Sequence, residues 1–284
     1  MVIGTLEQSF ILGIMAIGVY ISYKILDFPD MTADGSFPLG GAVTAALLVK
    51  GASPVMALCA AVMSGALSGM LTGIIHVRLR VINLLAGIIV MTGLYSVNLR
   101  IMGKSNIPLF STLNIFHGNI QPIAVAAIFL IVVKVSVDFL LKTKFGFALR
   151  ALGDNEILVT SLGLDEKRIK IYGLMFSNAL IALSGGLLAQ YQGFADVGMG
   201  TGTIITGLAS IIIGEAMGGK NKILRGTWMV IFGTVIYKGI ISTALWTGMN
   251  ASDLKLITSV LVVFIIYMKL KKESFKKKGR IVSA

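Results

Sequence analysis

Four ionisable residues of this 284-residue chain, Asp34, Asp196, Glu215 and Lys238, stand in or beside long apolar runs, where an unpaired charge is costly. Such groups are candidates for handling solute, protons or ions, with helix capping or structural pairing as the plainer use. A carboxylate at Asp34 or Asp196 could meet the ammonium group of an amino acid. Capping the half-helix that follows is an equal reading for Asp196 and the better one for Asp34. For Glu215 and Lys238 the structural role is the better reading, and Lys134 and Asp138, an i, i+4 pair, neutralise one another.

Other patterns exclude chemistry. Gly214-Glu-Ala-Met-Gly-Gly-Lys-Asn221 imitates a phosphate-binding loop but places Asn221 where the magnesium-binding Ser or Thr belongs, and its glycines end an apolar helix rather than follow a buried strand. ATP must therefore bind another chain. His76 and His117, expected at membrane boundaries, have no Cys or Glu at metal-ligand spacing, and the single Cys59 offers neither a disulfide nor a zinc site.

The elements that must position these residues are membrane helices. Apolar residues make up 56% of the chain and charged ones 13%, about half the charge of a soluble domain. Nine candidate spans follow, at 5–23, 27–50, 53–76, 82–102, 120–141, 170–191, 200–218, 224–246 and 253–270. The expected fold is an all-α polytopic bundle forming a single domain over 1–284, with no cationic signal segment before the first span. The net charge of +12 does not point to nucleic acid, because the basic residues sit at span ends. With the amino terminus outside and the basic tail 269–284 in the cytoplasm, 19 of the 25 Lys and Arg fall on the cytoplasmic side. Lys50, Arg100, Lys104 and Lys255 fall outside, and Lys134 and Lys238 lie within spans.

Two spans read as broken helices. Asp27-Phe-Pro-Asp-Met-Thr-Ala-Asp-Gly-Ser-Phe-Pro38 precedes the apolar run of the second span, and Pro38 should break it near Asp34-Gly35. Gln192-Gly-Phe-Ala-Asp-Val-Gly-Met-Gly-Thr-Gly202 does the same for the seventh, placing Asp196 and Gly198 at the break. The two segments have opposite orientations, which is the sequence pointer to an inverted repeat; two interfacial loops are the plainer alternative. Gly65, Gly69 and Gly73 form a close-packing stripe on the third span. On the sixth, Ser177, Asn178, Ser184 and Gln190 either line a path or bond neighbouring helices, and Asn178 and Gln190 are the candidates for the path.

The longest polar stretch, about 142–169, contains one short helix: Asp154 as N-cap, Glu156 in the first turn, Gly163 as C-cap. At about eight residues, roughly 12 Å, it is too short to span a membrane and marginal alone, so it needs spans above it and a partner below. Asp165 then starts the sixth span.

Gly146-Phe-Ala-Leu-Arg-Ala-Leu-Gly-Asp-Asn-Glu156 with Ser161-Leu-Gly-Leu164 resembles the coupling loop of bacterial ABC-importer permeases of the ribose and branched-chain amino acid type, as do Gly207-Leu-Ala-Ser-Ile-Ile-Ile-Gly-Glu215, the span from Gly226 and the basic tail. Leu26 to Phe37 and Ser177 to Asp196 resemble permeases of tryptophan or tyrosine uptake systems. The resemblance implies a permease homodimer in the bacterial plasma (inner) membrane, ATP-binding cassette ATPase subunits docked on the loop helices, and an extracytoplasmic solute-binding lipoprotein. Lipid is the remaining partner, and no resident cofactor or catalytic residue is expected. Leu152, Gly153, Asp154, Asn155, Glu156, Leu158 and Gly163 would couple to the ATPase; Asp34, Gly35, Asn178, Gln190, Asp196 and Gly198 would line the path. The acidic Asp27, Asp30 and Asp34 depart from the sugar and branched-chain pattern, so those substrates do not carry over.

The rivals are an ion- or proton-coupled secondary transporter using Asp34, Asp196 and Glu215, and a membrane scaffold or receptor. The topology is tested by replacing Cys59 and placing single cysteines at Ser111 and Ser274. An impermeant thiol reagent should label the first from outside and the second only after permeabilisation; the opposite pattern reverses the orientation.

Overall fold

The computed structural model describes residues 2–118, 120–217 and 223–248, with isolated positions 256, 258–260, 263 and 267. Ten helices occur among them: α1 (Val2–Tyr20, prolonged by a π-helical turn Ile21–Ile25), α2 (Ala33–Val49), α3 (Pro54–Leu79), α4 (Asn83–Met102), α5 (Pro122–Lys142), α6 (Lys144–Asp154), α7 (Glu156–Ser161), α8 (Glu166–Gln192), α9 (Thr203–Met217) and α10 (Ile223–Trp246). Their ends follow local chemistry. Pro54 opens α3 behind Ser53, whose hydroxyl accepts from the Met56 amide; Asp165 accepts from Lys167 and Arg168 at the start of α8, as its sequence predicts; Gly103 and Gly193 end α4 and α8 in the left-handed region.

Seven segments are long and apolar enough to cross a membrane, α9 being one of them only together with the turn from Val197 that leads into it, and α2, with 17 residues, is shorter. Eight of the nine expected spans therefore have helical counterparts, one of them a short one. The ninth, 253–270, with the tail 269–284, lies largely outside the described residues, as does Gly218–Asn221 of the false phosphate loop.

Two expectations need correction. Pro38 does not break α2, which runs through it: the helix begins only at Ala33, so the missing Pro38 donor merely frees the carbonyl of Asp34 in the first turn. The irregular backbone lies upstream, over residues 26–32. The fold is the expected all-α bundle, with one short ribbon among the described residues: Asn106–Pro108 (β1) pairs antiparallel with Phe194–Asp196 (β2) beside the second break. The polar loop holds two helices rather than one, since Thr143 caps α6 by accepting from the Gly146 amide.

The centre of the bundle is α8, which packs chiefly on α3 and α2 and then on α1, while α1 also meets α10, α5 and α9. Small residues allow these approaches. A methyl group at Gly69 would overlap the Leu174 carbonyl, one at Gly65 the Asn178 carbonyl, and one at Gly73 would lie 2.9 Å from Ile171 Cα, so the α3 stripe is packing against α8. Between α2 and α8 the approach is reciprocal: Gly40 faces the Ala182 carbonyl and Gly185 the Phe37 carbonyl.

Gly40→Ala and Gly185→Ala should each destabilise the purified protein by about 1–3 kcal/mol through overpacking. Gly93→Ala, where nothing lies within 4 Å of the new carbon, should be neutral or stabilising. Thermal unfolding in detergent decides: equal melting temperatures for all three variants would remove the α2–α8 contact from the account.

Candidate functional site

Non-helical backbone at membrane depth survives only where the protein satisfies its polar groups. Residues 26–32 run against α8 and are held by such bonds. The Phe28 amide donates to the Ser22 carbonyl at 2.8 Å, and Asp27 takes a left-handed turn with φ 51°. Asp30, 2% exposed, accepts from the Thr32 amide at 2.9 Å with Oδ1 and from Asn178 Nδ2 at 2.7 Å with Oδ2. Asn178 Oδ1 in turn accepts from Ser36 Oγ at 2.7 Å, and the Thr32 and Thr72 hydroxyls bond at 2.6 Å. The Asp30–Asn178–Ser36 chain thus pins the start of α2 to α8. Asn178 is about 18 Å from one end of α8 and about 21 Å from the other at 1.5 Å per residue, so α2 begins near mid-depth.

The second irregular segment descends from the opposite end of α8. After Gly193 the chain forms β2, then a 3-10 turn over Val197–Gly200, then α9. Asp196 accepts from the Gly198 amide at 2.7 Å and from Asn106 Nδ2 at 3.3 Å, which caps its own turn. Asp34 does something the sequence does not announce. Its carboxylate accepts from the Gly202 amide at 3.0 Å and the Ile204 amide at 2.8 Å, so it caps α9 rather than its own helix. A methyl group at Gly200 would overlap the Asp34 carbonyl and lie 2.9 Å from Pro38 Cγ. Two short helices therefore meet amino end to amino end, with a carboxylate between them where both dipoles favour negative charge.

Of the expected path residues, Asp34, Gly35 and Asn178 come together here, Gly35 through its carbonyl, which accepts from Asn98 Nδ2 at 3.3 Å. Asp196 and Gly198 sit one turn away on the approach to α9. Gln190 stands apart, its Oε1 accepting from the Ile115 amide at 3.0 Å and tying the 109–118 loop to α8. Glu215 pairs with Lys24 at 2.9 Å, Lys238 donates to Gln8 Oε1 at 3.3 Å, and the expected Lys134–Asp138 pair forms at 2.6 Å with Thr227 also on Asp138. Sequence reasoning passed over Asp30 and Asn98. Asp30 is legible as a carboxylate in the break, whereas nothing local to Asn98 signals its bond to the Gly35 carbonyl.

In the loop, Asn155 rather than Asp154 caps the short helix, accepting from the Leu158 amide at 3.1 Å, because α6 already contains Asp154 as its last residue. The helix is six residues long rather than eight. Gly163 does end it, with φ 74° and paired bonds from Gly163 to the Thr160 carbonyl and from Leu164 to the Val159 carbonyl. Leu152 is buried, Gly153 presses on the Ile25 carbonyl, and Glu156 bonds Lys170 at 2.7 Å. That bond holds the Glu156 carboxyl below its ordinary value, so the contact is present at neutral pH and is lost as pH falls through the lowered value. Leu158 and Ile157 are exposed, the latter by 79%.

Residues 1–268 match the family described as branched-chain amino acid transport system / permease component. The chain is 50% identical over 262 residues to a tyrosine transport system permease protein of Clostridioides difficile, covering 92% of this chain and 89% of that one. It is 35% identical to an uncharacterized protein of Rickettsia prowazekii over 95% and 98% of the two chains. It is 26% identical to a probable branched-chain amino acid transport permease protein of Methanocaldococcus jannaschii over 99% and 94%. No solved structure matches significantly.

If the Asp30–Asn178 contact stabilises the irregular segment 26–32, Asn178→Ala should cost about 2 kcal/mol and be non-additive with Asp30→Ala by about 1–2 kcal/mol. Unfolding of the two single variants and the double variant measures this, and simple additivity would show that the two residues act separately.

Proposed function

The chain belongs to the family of branched-chain amino acid transport system permease components, and on that premise we propose that it is the membrane-spanning subunit of an ATP-driven importer for an amino acid, of the aromatic class. It is a multi-pass membrane protein, and its relatives are transport subunits rather than enzymes. The aromatic class follows the tyrosine permease relative, together with the acidic irregular segment 26–32 that sets this chain apart from the ribose and branched-chain pattern.

The observation that carries the ATP-driven reading is the mounting of α6 and α7. Arg150 Nη2 donates to the Leu141 carbonyl at 2.7 Å, Leu149 is fully buried, and Gly153 lies on Ile25, so α6 is seated on the spans. Behind that seat, α7 presents Ile157, Leu158 and Leu162 to solvent. A helix of six residues has no stability of its own, and an apolar face held outward by a fixed support suits a docked protein. In this reading the docked protein is an ATPase subunit, which holds the nucleotide. A solute-binding lipoprotein docks on the face of the β1–β2 ribbon, and two copies of the chain enclose the path. The α6–α7 face is then cytoplasmic, as its basic residues favour.

The pairing of α2 with α9, two short helices entered from opposite ends of α8, supports an inverted repeat within one permease domain. The ion-coupled rival is less well supported, because Asp34 and Asp196 are occupied by backbone amides and Glu215 by Lys24.

Leu158→Glu or Ile157→Glu should reduce ATP-driven uptake at least about tenfold with the protein still in the membrane, each placing a charge in an apolar contact. Asn155→Ala should weaken uptake and Asn155→Asp restore it, since Asp retains the cap. Unchanged uptake and solute-stimulated ATP hydrolysis across the series would remove α7 from coupling.

A further inference from the structure

Two sets of helices adjoin along the line where α2 meets α9, with α1 packed on both. On one side α2 is fixed to α8, α3 and α4; on the other, α9 packs on α10 and α1, and α1 also packs on α8. The polar bonds on the two sides differ in kind. The start of α2 is anchored within its own group by Asp30, Asn178, Ser36 and the Thr32–Thr72 hydroxyl pair. The start of α9 is anchored across the line, by the Asp34 carboxylate on the Gly202 and Ile204 amides. Gly200 brings the two backbones into contact at the same point, over the Asp34 carbonyl that Pro38 leaves without a helical donor.

We propose that Asp34 is a positioning residue that fixes the amino end of the α9 half-helix on the amino end of α2, and that solute passage requires this one joint to open and re-form. The inference rests on the permease reading for its second half only. The physical argument is that helix amino ends carry like partial charges and repel unless a negative group lies between them. Asp34 supplies that group. Two charge-assisted bonds from one side chain can be broken and remade without unfolding either helix, whereas the Gly40 and Gly185 approaches between α2 and α8 are backbone contacts that leave no such freedom. The joint also lies near the level of Asn178, about half-way along α8. Asp196 has no equivalent role, since it caps the turn that it begins.

The test uses the full chain in lipid nanodiscs and, separately, the complex with its ATPase and binding protein in proteoliposomes. Asp34→Ala should speed hydrogen exchange of the amides of residues 202–204 about tenfold while α3 and α8 keep their protection. Gly200→Ala, which leaves Asp34 intact but forces the backbones apart, should do the same. Asp34→Asn keeps an acceptor without the charge and should fall between. In proteoliposomes, ATP-driven uptake of a radiolabelled aromatic amino acid should follow the same order, Ala lowest. Unchanged exchange at 202–204 in both Asp34→Ala and Gly200→Ala overturns the joint. A local rise in exchange with wild-type uptake overturns its part in transport. Wild-type complex that shows no ATP-driven uptake would defeat the importer reading instead, and the exchange results would still decide the joint.

Discussion

One requirement governs this molecule: every peptide group at membrane depth must find its partner within the protein. Helices meet it by themselves. The two irregular segments, 26–32 and 193–202, cannot, and the surrounding spans are composed around them. Asn178 shows the consequence most directly. It sits in the middle of the most buried span and uses its amide in both directions, donating to Asp30 and accepting from Ser36. Ser177 and Ser184 on the same helix donate to carbonyls of α1, at Gly18 and Ile11. The polar residues of α8 therefore point to several neighbours at once, which is why they fall on no single face.

Close backbone approach is the second half of the same solution. Lipid tails are as apolar as leucine, so membrane helices gain from packing rather than from leaving water. Glycines on α2, α3 and α8 let carbonyls and Cα atoms of facing helices touch, and this places the Asp30–Asn178 bond at the distance it needs. The polar network and the small-residue stripe are thus one device. Widening the helix spacing by a methyl group would stretch hydrogen bonds as well as lose contact.

The sequence made the spans legible because hydropathy over some twenty residues is a long signal, and the outlying ion pair Lys134–Asp138 was legible because both partners lie on one helix. What stayed hidden depended on partners distant in sequence. Asp34 reads as a cap for the helix it begins, yet its acceptor oxygens serve amides 168 and 170 residues away. Pro38 reads as a breaker, yet it stands in the second turn of a helix that runs through it, and Gly200 lets the facing backbone lie close against the Asp34 carbonyl. Asn155 lost to Asp154 as a cap because α6 went unrecognised, although Thr143 and the apolar spacing of Phe145, Leu149 and Leu152 mark it. The β1–β2 ribbon joins segments nearly ninety residues apart, and no local pattern could have paired them.

Two of these hidden features, Asp34 and Pro38, share a place. They lie where α2 and α9 begin, and there the cap of α9 comes from the other segment rather than from the chain's own neighbours. A single stable helix would carry its caps with it, and its sequence would say so. A half-helix capped by a residue of another depends on their relative position, so separating α9 from α2 exposes the amides that Asp34 satisfies. Any alternative arrangement must therefore supply water or a solute oxygen to Gly202 and Ile204 as Asp34 leaves. Opening of the bundle at this point and hydration of the α9 amino end are then one event.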